Sequence, residues 1–132
     1  MHEKHIEIRW RDLDALGHVN NAVYLTYLEE LRGSWATTLF DDPDALSAFV
    51  LARVAIDFRS EVRLAERRLL GRVAVTRIGT SSLTLRESLH KGDGTIAAES
   101  EAVLVMRDAQ TGRSRPITEA ERAALERALE PT

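Results

Sequence analysis

The sequence predicts an α+β fold, an antiparallel five-stranded sheet wrapped around one long central helix, with a short C-terminal helix. Three observations predict it. Only one stretch, roughly Ala22 to Phe40, is long and apolar enough to cover a sheet as a helix. Nearly everything from Phe49 to Arg107 alternates, or runs apolar, as strands do. One further strand precedes the helix, and an antiparallel sheet with a covered face needs such a helix upon it.

Taken in order, the first strand spans Glu3 to Trp10, with Ile6, Ile8 and Trp10 on one face and His5, Glu7 and Arg9 on the other. It runs out through Asp12 and Asp14 to Gly17, where the backbone turns sharply. Asn20 or Asn21 caps the helix that begins near Ala22. Along that helix Val23, Tyr24, Tyr27, Leu28, Leu31, Trp35 and Leu39 recur every three or four residues, over a length of about 28 Å. Asp41-Asp-Pro-Asp44 ends it, because proline disfavours helix in the residue before it. Val54, Ile56 and Phe58 then alternate with Arg53, Ala55 and Asp57, and Leu83, Leu85 and Leu89 with Thr84, Arg86 and Ser88. Lys91-Gly-Asp-Gly94 is a hairpin turn. Ile96 to Met106, apolar on both faces in part, reads as an interior strand. After a turn at Asp108 to Arg113, Thr118-Glu-Ala-Glu121 is a capping box opening a helix to about Leu129. Arg122 stands at pairing distance from Glu119 and Glu126, which marks this helix as mostly solvated.

Composition bounds the function. A chain of 132 residues suffices for one domain with its own core, so 1–132 is read as a single domain. Hydrophobic residues at 44% and charged residues at 30% describe a soluble globular protein. A net charge of −3 argues against nucleic acid as the main partner. The absence of cysteine removes disulfides, thiol nucleophiles and thiolate metal sites. No apolar run approaches the ~18 residues of a membrane span, and no secretory leader is evident, so the expected location is the cytoplasm. His2, His5, His18 and His90 are scattered without ligand spacing, and no metal site is expected.

The chemistry concentrates between Arg11 and Arg32. A strand end, a carboxylate, a glycine turn and a helix start follow one another closely. A helix N-terminus offers unpaired N–H donors and partial positive charge to an oxyanion. A carboxylate beside it can serve as base or nucleophile on the attached carbon. That pairing suits cleavage of an activated acyl group. Asp12-Leu-Asp14, Gly17-His-Val-Asn-Asn21, Tyr24, Tyr27, Glu29 and Arg32 together resemble the signature of hotdog-fold acyl-CoA thioesterases of the 4-hydroxybenzoyl-CoA thioesterase type. Val54-Ala-Ile-Asp-Phe58 and the stretch from Arg72 to Leu85 are similar to that family's central strands, so the resemblance runs from about His5 to Arg107.

The resemblance implies the hotdog fold and hydrolysis of an acyl-CoA thioester to a carboxylic acid and coenzyme A, with no cofactor beyond the coenzyme A of the substrate. It implies a homodimer joined edge to edge, commonly a homotetramer, with active sites at the dimer interface. Asp14 takes the catalytic position, as nucleophile or general base, and the Asn21 backbone amide that of oxyanion donor. His18 is a supporting residue that could orient Asp14 or a water. Asn20, Tyr24, Arg59, Ser81 and Ser82 are the expected substrate contacts.

Plainer readings stand beside these. Asp12 and Asp14 suit a turn, and Asn20 and Asn21 suit a cap. Glu29, three residues before Arg32, is read as its ion-pair partner and as the fallback catalytic acid. Tyr24, Tyr27 and Trp35 are core residues, some bordering the acyl pocket. Arg59, Arg63, Arg67, Arg68 and Arg72 offer bidentate donors to phosphate, or simply pair with Glu61 and Glu66 in solvent. The family's proline and glycine in the turn after the second strand are replaced here by Ser60-Glu-Val-Arg-Leu-Ala-Glu66, which puts its nucleotide contacts in doubt. An acyl carrier protein thioester is the nearest alternative substrate. A non-catalytic acyl-CoA-binding module has no use for Asp14. A hydratase would pair an acid with a histidine as Asp14 and His18 superficially do, but the Gly17-His-Val-Asn-Asn21 context favours the thioesterase.

Overall fold

The computed structural model describes residues 1–130. The apolar spacing between Ala22 and Phe40 produces helix α1, Val23–Phe40, whose Tyr24, Tyr27, Leu28, Leu31, Trp35 and Ala36 are buried. These side chains press on one face of a sheet of five strands: β1 (His2–Glu7), β2 (Phe49–Phe58), β3 (Arg68–Ile78), β4 (Ser82–His90) and β5 (Ile96–Met106). All neighbours are antiparallel, in the order β1-β3-β4-β5-β2, so β1 and β2 are the edges. Helix α2, Glu119–Arg127, closes the chain with the expected capping box at Thr118 and Glu121. This is the hotdog architecture.

Alternation decides which side chains meet the helix. Leu83, Leu85 and Leu89 of β4 oppose Leu104, Ala102 and Ala98 of β5, and all six are buried. Each leucine so buried contributes about 1.5–3 kcal/mol. Gly71 on β3 sets how closely α1 sits. A Cβ there would stand 3.0 Å from Leu31 Cδ1 and 3.3 Å from the Lys4 carbonyl, so alanine would overpack this contact. The helix therefore rides low over the sheet at its middle.

Three local expectations are corrected. β1 ends at Glu7, and Trp10 lies in a 3₁₀ turn, Trp10–Asp12, with its side chain 78% exposed. Asp12 folds the chain back, its Oδ2 accepting from the Arg9 N–H at 2.9 Å, and this breaks the alternation. At the other end of α1 the terminator is Asp41, in the left-handed region at φ 50 with its N–H donating to the Thr37 carbonyl; Pro43 only follows. In α2, Arg122 leaves its own helix and donates through Nη2 to the Gly79 carbonyl at 2.7 Å, while Ala124 and Leu125 are buried. The expected pairing of Arg122 with Glu119 and Glu126 gives way to this contact, and the helix, otherwise largely exposed as expected, docks through Ala124 and Leu125.

Candidate active site

Two loops meet at the N-terminal end of α1. The Val19 N–H donates to the Val62 carbonyl at 2.8 Å, and His18 bridges Arg63, so the segment before the helix is zipped to the segment after β2. Between them lies a hollow of about 400 Å³, lined by Asp14, His18, Asn21, Tyr24, Arg59 and Glu61 among others. Five of the residues singled out from the sequence thus share one cavity wall. A larger hollow of about 610 Å³ lies beside Glu7, Ile8, Leu64, Ala65, Arg67 and Arg68, but it brings no carboxylate to a helix start. Chemistry rather than volume selects the site.

The two aspartates have separate tasks. Asp12 is buried, and its Oδ2 accepts from the Tyr27 hydroxyl at 2.6 Å as well as from Arg9 N–H. Burial, and then the bond to Asp12, pushes the Tyr27 hydroxyl far above its usual pKa, so it remains a donor. Asp14 is exposed. Its Oδ1 accepts from the Leu16 and His18 N–H groups at 2.9 and 3.2 Å, which fixes the carboxylate against its own loop. Gly17, at φ 78, makes that tight return possible. Asp14 lines the cavity, and among the described residues nothing engages its Oδ2, so one oxygen is anchored and the other carries no hydrogen bond.

The helix start is equally open. Asn20 holds it: its Oδ1 accepts from the Ala22 N–H and its carbonyl from the Val23 N–H, both at 2.9 Å. Asn20 is therefore the turn-forming residue and does not line the cavity. Asn21 does, and its backbone N–H has no acceptor among the described residues. The helix has no side-chain cap and no acid in its first turn. A donor and a partial positive charge are thus left uncompensated beside Asp14.

His18 has a partner that sequence reasoning does not supply. Its Nε2 lies 3.0 Å from Glu61 Oε2, and Glu61 Oε1 accepts from Arg63 Nη2 at 3.2 Å. In the sequence Glu61 reads only as a solvated charge; the register between the two loops, invisible in a local pattern, brings it into the cavity. Tyr24 packs edge-on against Phe58 at 5.2 Å between ring centres and walls the inner side. Arg59 also lines the cavity, with its Nε committed to Glu99 Oε2 at 3.0 Å.

Other candidates fall elsewhere. Ser81 and Ser82 sit at the opposite end of the sheet: Ser82 pairs with Val105, whereas Phe58 pairs with Ala98, about 23 Å away along β5. Arg67 and Arg68 border the other hollow, and Arg72 stands opposite Glu3 in the β1–β3 ladder. Glu29 does not pair with Arg32. Arg32 crosses under the helix to Glu87, Nε to Oε2 at 2.6 Å and Nη2 to Oε1 at 3.0 Å, and Ser100 Oγ donates to the same carboxylate at 2.7 Å. Glu87 is 1% exposed and Arg32 4%, a buried pair that leaves Glu29 in solvent. Among the described residues no group of three or more potential ligands is placed to hold a metal ion, and no helix is long and apolar enough to cross a membrane.

Comparison with known proteins follows the same lines. A family model described as the thioesterase-like superfamily matches residues 8–125. A thioesterase from Thermus thermophilus, solved in complex with coenzyme A and zinc, is 32% identical, with 96% of this chain and 92% of that one covered and a TM-score of 0.85. A putative thioesterase from Pseudomonas aeruginosa is 33% identical, covering 94% and 97%, with a TM-score of 0.81. A predicted thioesterase from Bacillus stearothermophilus is 26% identical, covering 98% and 97%, with a TM-score of 0.86. A comparison with curated protein sequences found no match.

Proposed function

This chain belongs to the thioesterase-like superfamily and is a thioester hydrolase, and from that premise we propose that it hydrolyses acyl-CoA thioesters through Asp14, with a site of the 4-hydroxybenzoyl-CoA thioesterase type. The observation that carries this reading is the pairing of a half-free carboxylate, Asp14 Oδ2, with an unengaged N–H at Asn21 across one cavity. The thioester oxygen rests at the Asn21 N–H and the helix start, where charge developing on it is stabilised. Asp14 attacks the carbonyl carbon to form a mixed anhydride that water then hydrolyses to the free acid, or it deprotonates a water that attacks directly. The C–S bond breaks, and coenzyme A leaves as a thiolate. His18, held by Glu61, supports the position of Asp14 or of the water.

Coenzyme A itself is bound by the Thermus relative, which favours it over a carrier protein here. Arg59, which lines the cavity, is a donor for its phosphates. We further propose a homodimer paired along β2, assembled into a homotetramer in the cytoplasm. β2 is an unpaired edge with Val50, Leu51 and Phe58 exposed, and edge pairing would cover it. Antiparallel pairing would also bring the Ser81–Ser82 end of one copy toward the Asp14 end of the other. Hydrolysis needs no metal or redox cofactor on this reading, and a chelator should leave the rate unchanged.

Thiol release from short, long, branched and aromatic acyl-CoA thioesters tests it. The expected result is turnover of at least one class by the wild type and a rate lower by about 10²–10⁴ in Asp14→Asn. Failure with every acyl-CoA, alongside cleavage of an acyl carrier protein thioester, would overturn the coenzyme A assignment.

A further inference from the structure

The two tyrosines of α1 are alike in burial, Tyr24 at 2% exposed and Tyr27 at 1%, and differ in what their hydroxyls meet. The Tyr27 hydroxyl donates to Asp12 Oδ2 at 2.6 Å. Among the described residues no hydrogen bond engages the Tyr24 hydroxyl, yet it is not one of the unpartnered side-chain atoms sealed from the surface. The little accessibility that Tyr24 retains therefore includes its hydroxyl. The space it borders is the Asp14 cavity.

Two ring contacts hold the side chain. Tyr24 meets Phe58 edge-on at 5.2 Å between ring centres and Tyr27 at 6.2 Å. A long side chain in a helix leans back toward the N-terminus, over the residues three and four before it. For Tyr24 these are Asn21 and Asn20, and Asn21 lines the same cavity with its N–H unengaged. Burial raises the Tyr24 pKa, so the group stays an O–H donor through the neutral range. Other donors on the cavity wall are turned aside, His18 Nε2 to Glu61, Arg59 Nε to Glu99 and Ser60 Oγ to the Ile96 carbonyl. A buried donor without an acceptor destabilises a fold, and phenylalanine would supply the same ring without it. Tyr24 thus brings to the helix start a fixed, neutral and unspent donor, of the kind that serves beside a backbone N–H in oxyanion sites.

We propose that Tyr24 is a catalytic residue: its hydroxyl donates to the thioester oxygen beside the Asn21 N–H, so that a side-chain donor and a backbone donor hold the developing oxyanion together. This rests on the reading of Asp14 and Asn21 as the thioester-cleaving pair.

The test sets Tyr24→Phe beside Tyr27→Phe, the loss of one hydroxyl at either position. Tyr24→Phe should lower kcat by about 10²–10³-fold, the effect of removing one oxyanion donor. KM should change little, and the loss should be the same for every acyl-CoA that the wild type cleaves. The melting temperature should stay at or above the wild-type value, because no bonded partner is lost. Tyr27→Phe should do the reverse, melting earlier and keeping most of its kcat. A second readout needs no turnover: the ketone analogue of an acyl-CoA, with a methylene in place of the sulfur and carbon-13 at the carbonyl. Its carbonyl stretch should fall in frequency on binding to the wild type, and fall less on binding to Tyr24→Phe. A wild-type kcat in Tyr24→Phe would overturn the proposal, as would a loss confined to KM or to acyl groups that carry an oxygen of their own. So would a carbonyl band equal in the two proteins. A band that depends on Tyr24, beside a fully active Asp14→Asn, would retain the donor and remove Asp14 from the reading beneath it.

Discussion

Polar groups around α1 fall into two sets that differ in how completely they are satisfied. Beneath the helix, Asp12 with Tyr27 and Arg32 with Glu87 and Ser100 are buried and bonded to one another. At its mouth, among the described residues, Asp14 keeps a free oxygen, Asn21 a free N–H, and the His18 ring only the exposed Glu61. The interior set holds the frame, because a buried charge without a partner costs far more than a paired one contributes. The mouth set is left open, and open groups are what a substrate can use. Sequence proximity does not separate the two sets: Asp12 and Asp14 are two residues apart.

Breaking the interior set should cost the most. Arg32→Met alone leaves Glu87 uncompensated under the helix and should destabilise the fold by about 3–5 kcal/mol. Adding Glu87→Met should recover much of that loss in a denaturant titration. Tyr27→Phe removes one donor from Asp12 and should cost about 1–3 kcal/mol, with kcat changed much less than stability. At the mouth the pattern should reverse. Glu61→Gln should leave the melting temperature within a degree or two, since exposed pairs contribute only about 0–1 kcal/mol. It should lower kcat several-fold with little change in KM if His18 is held for the reaction.

The smallest effect concerns α2, away from both sets. The paired Arg115 guanidinium, bonded at 2.9 Å to each Glu121 oxygen, holds the Glu121 carboxyl down from 4.5 to about 2. Its folded pKa is the lower one, so its contribution is complete above about 4.5 and disappears as pH falls toward about 2. Wild type and Glu121→Gln should therefore differ in thermal stability near neutrality and converge at the acid end of that window.

The frame is legible in the sequence because period and length report it. The four-residue recurrence from Tyr24 to Trp35 and the alternation in β2, β4 and β5 each specify a buried face without reference to distant residues. The mouth is legible through Asp14, Gly17 and Asn21, where local turn chemistry and the family resemblance coincide. The partners are not. Arg32 and Glu87 are 55 residues apart in sequence, and nothing local indicates that they meet. Glu29 looks the better partner because it lies nearby on the same helix. Glu61 enters the cavity through the Val19–Val62 register, a property of two loops together. Alternation alone misplaces Trp10, because a single side chain, Asp12, overrides a pattern that otherwise continues.

The division of labour between the two aspartates is tested most directly by measuring kcat/KM and the melting temperature of Asp12→Asn and Asp14→Asn side by side. Asp14→Asn should lose about 10²–10⁴ in rate, the range for a proton-transferring group, and keep the wild-type melting temperature. Asp12→Asn should melt earlier and, below its transition, retain most of the activity. A stable, inactive Asp12→Asn beside a fully active Asp14→Asn would contradict the account.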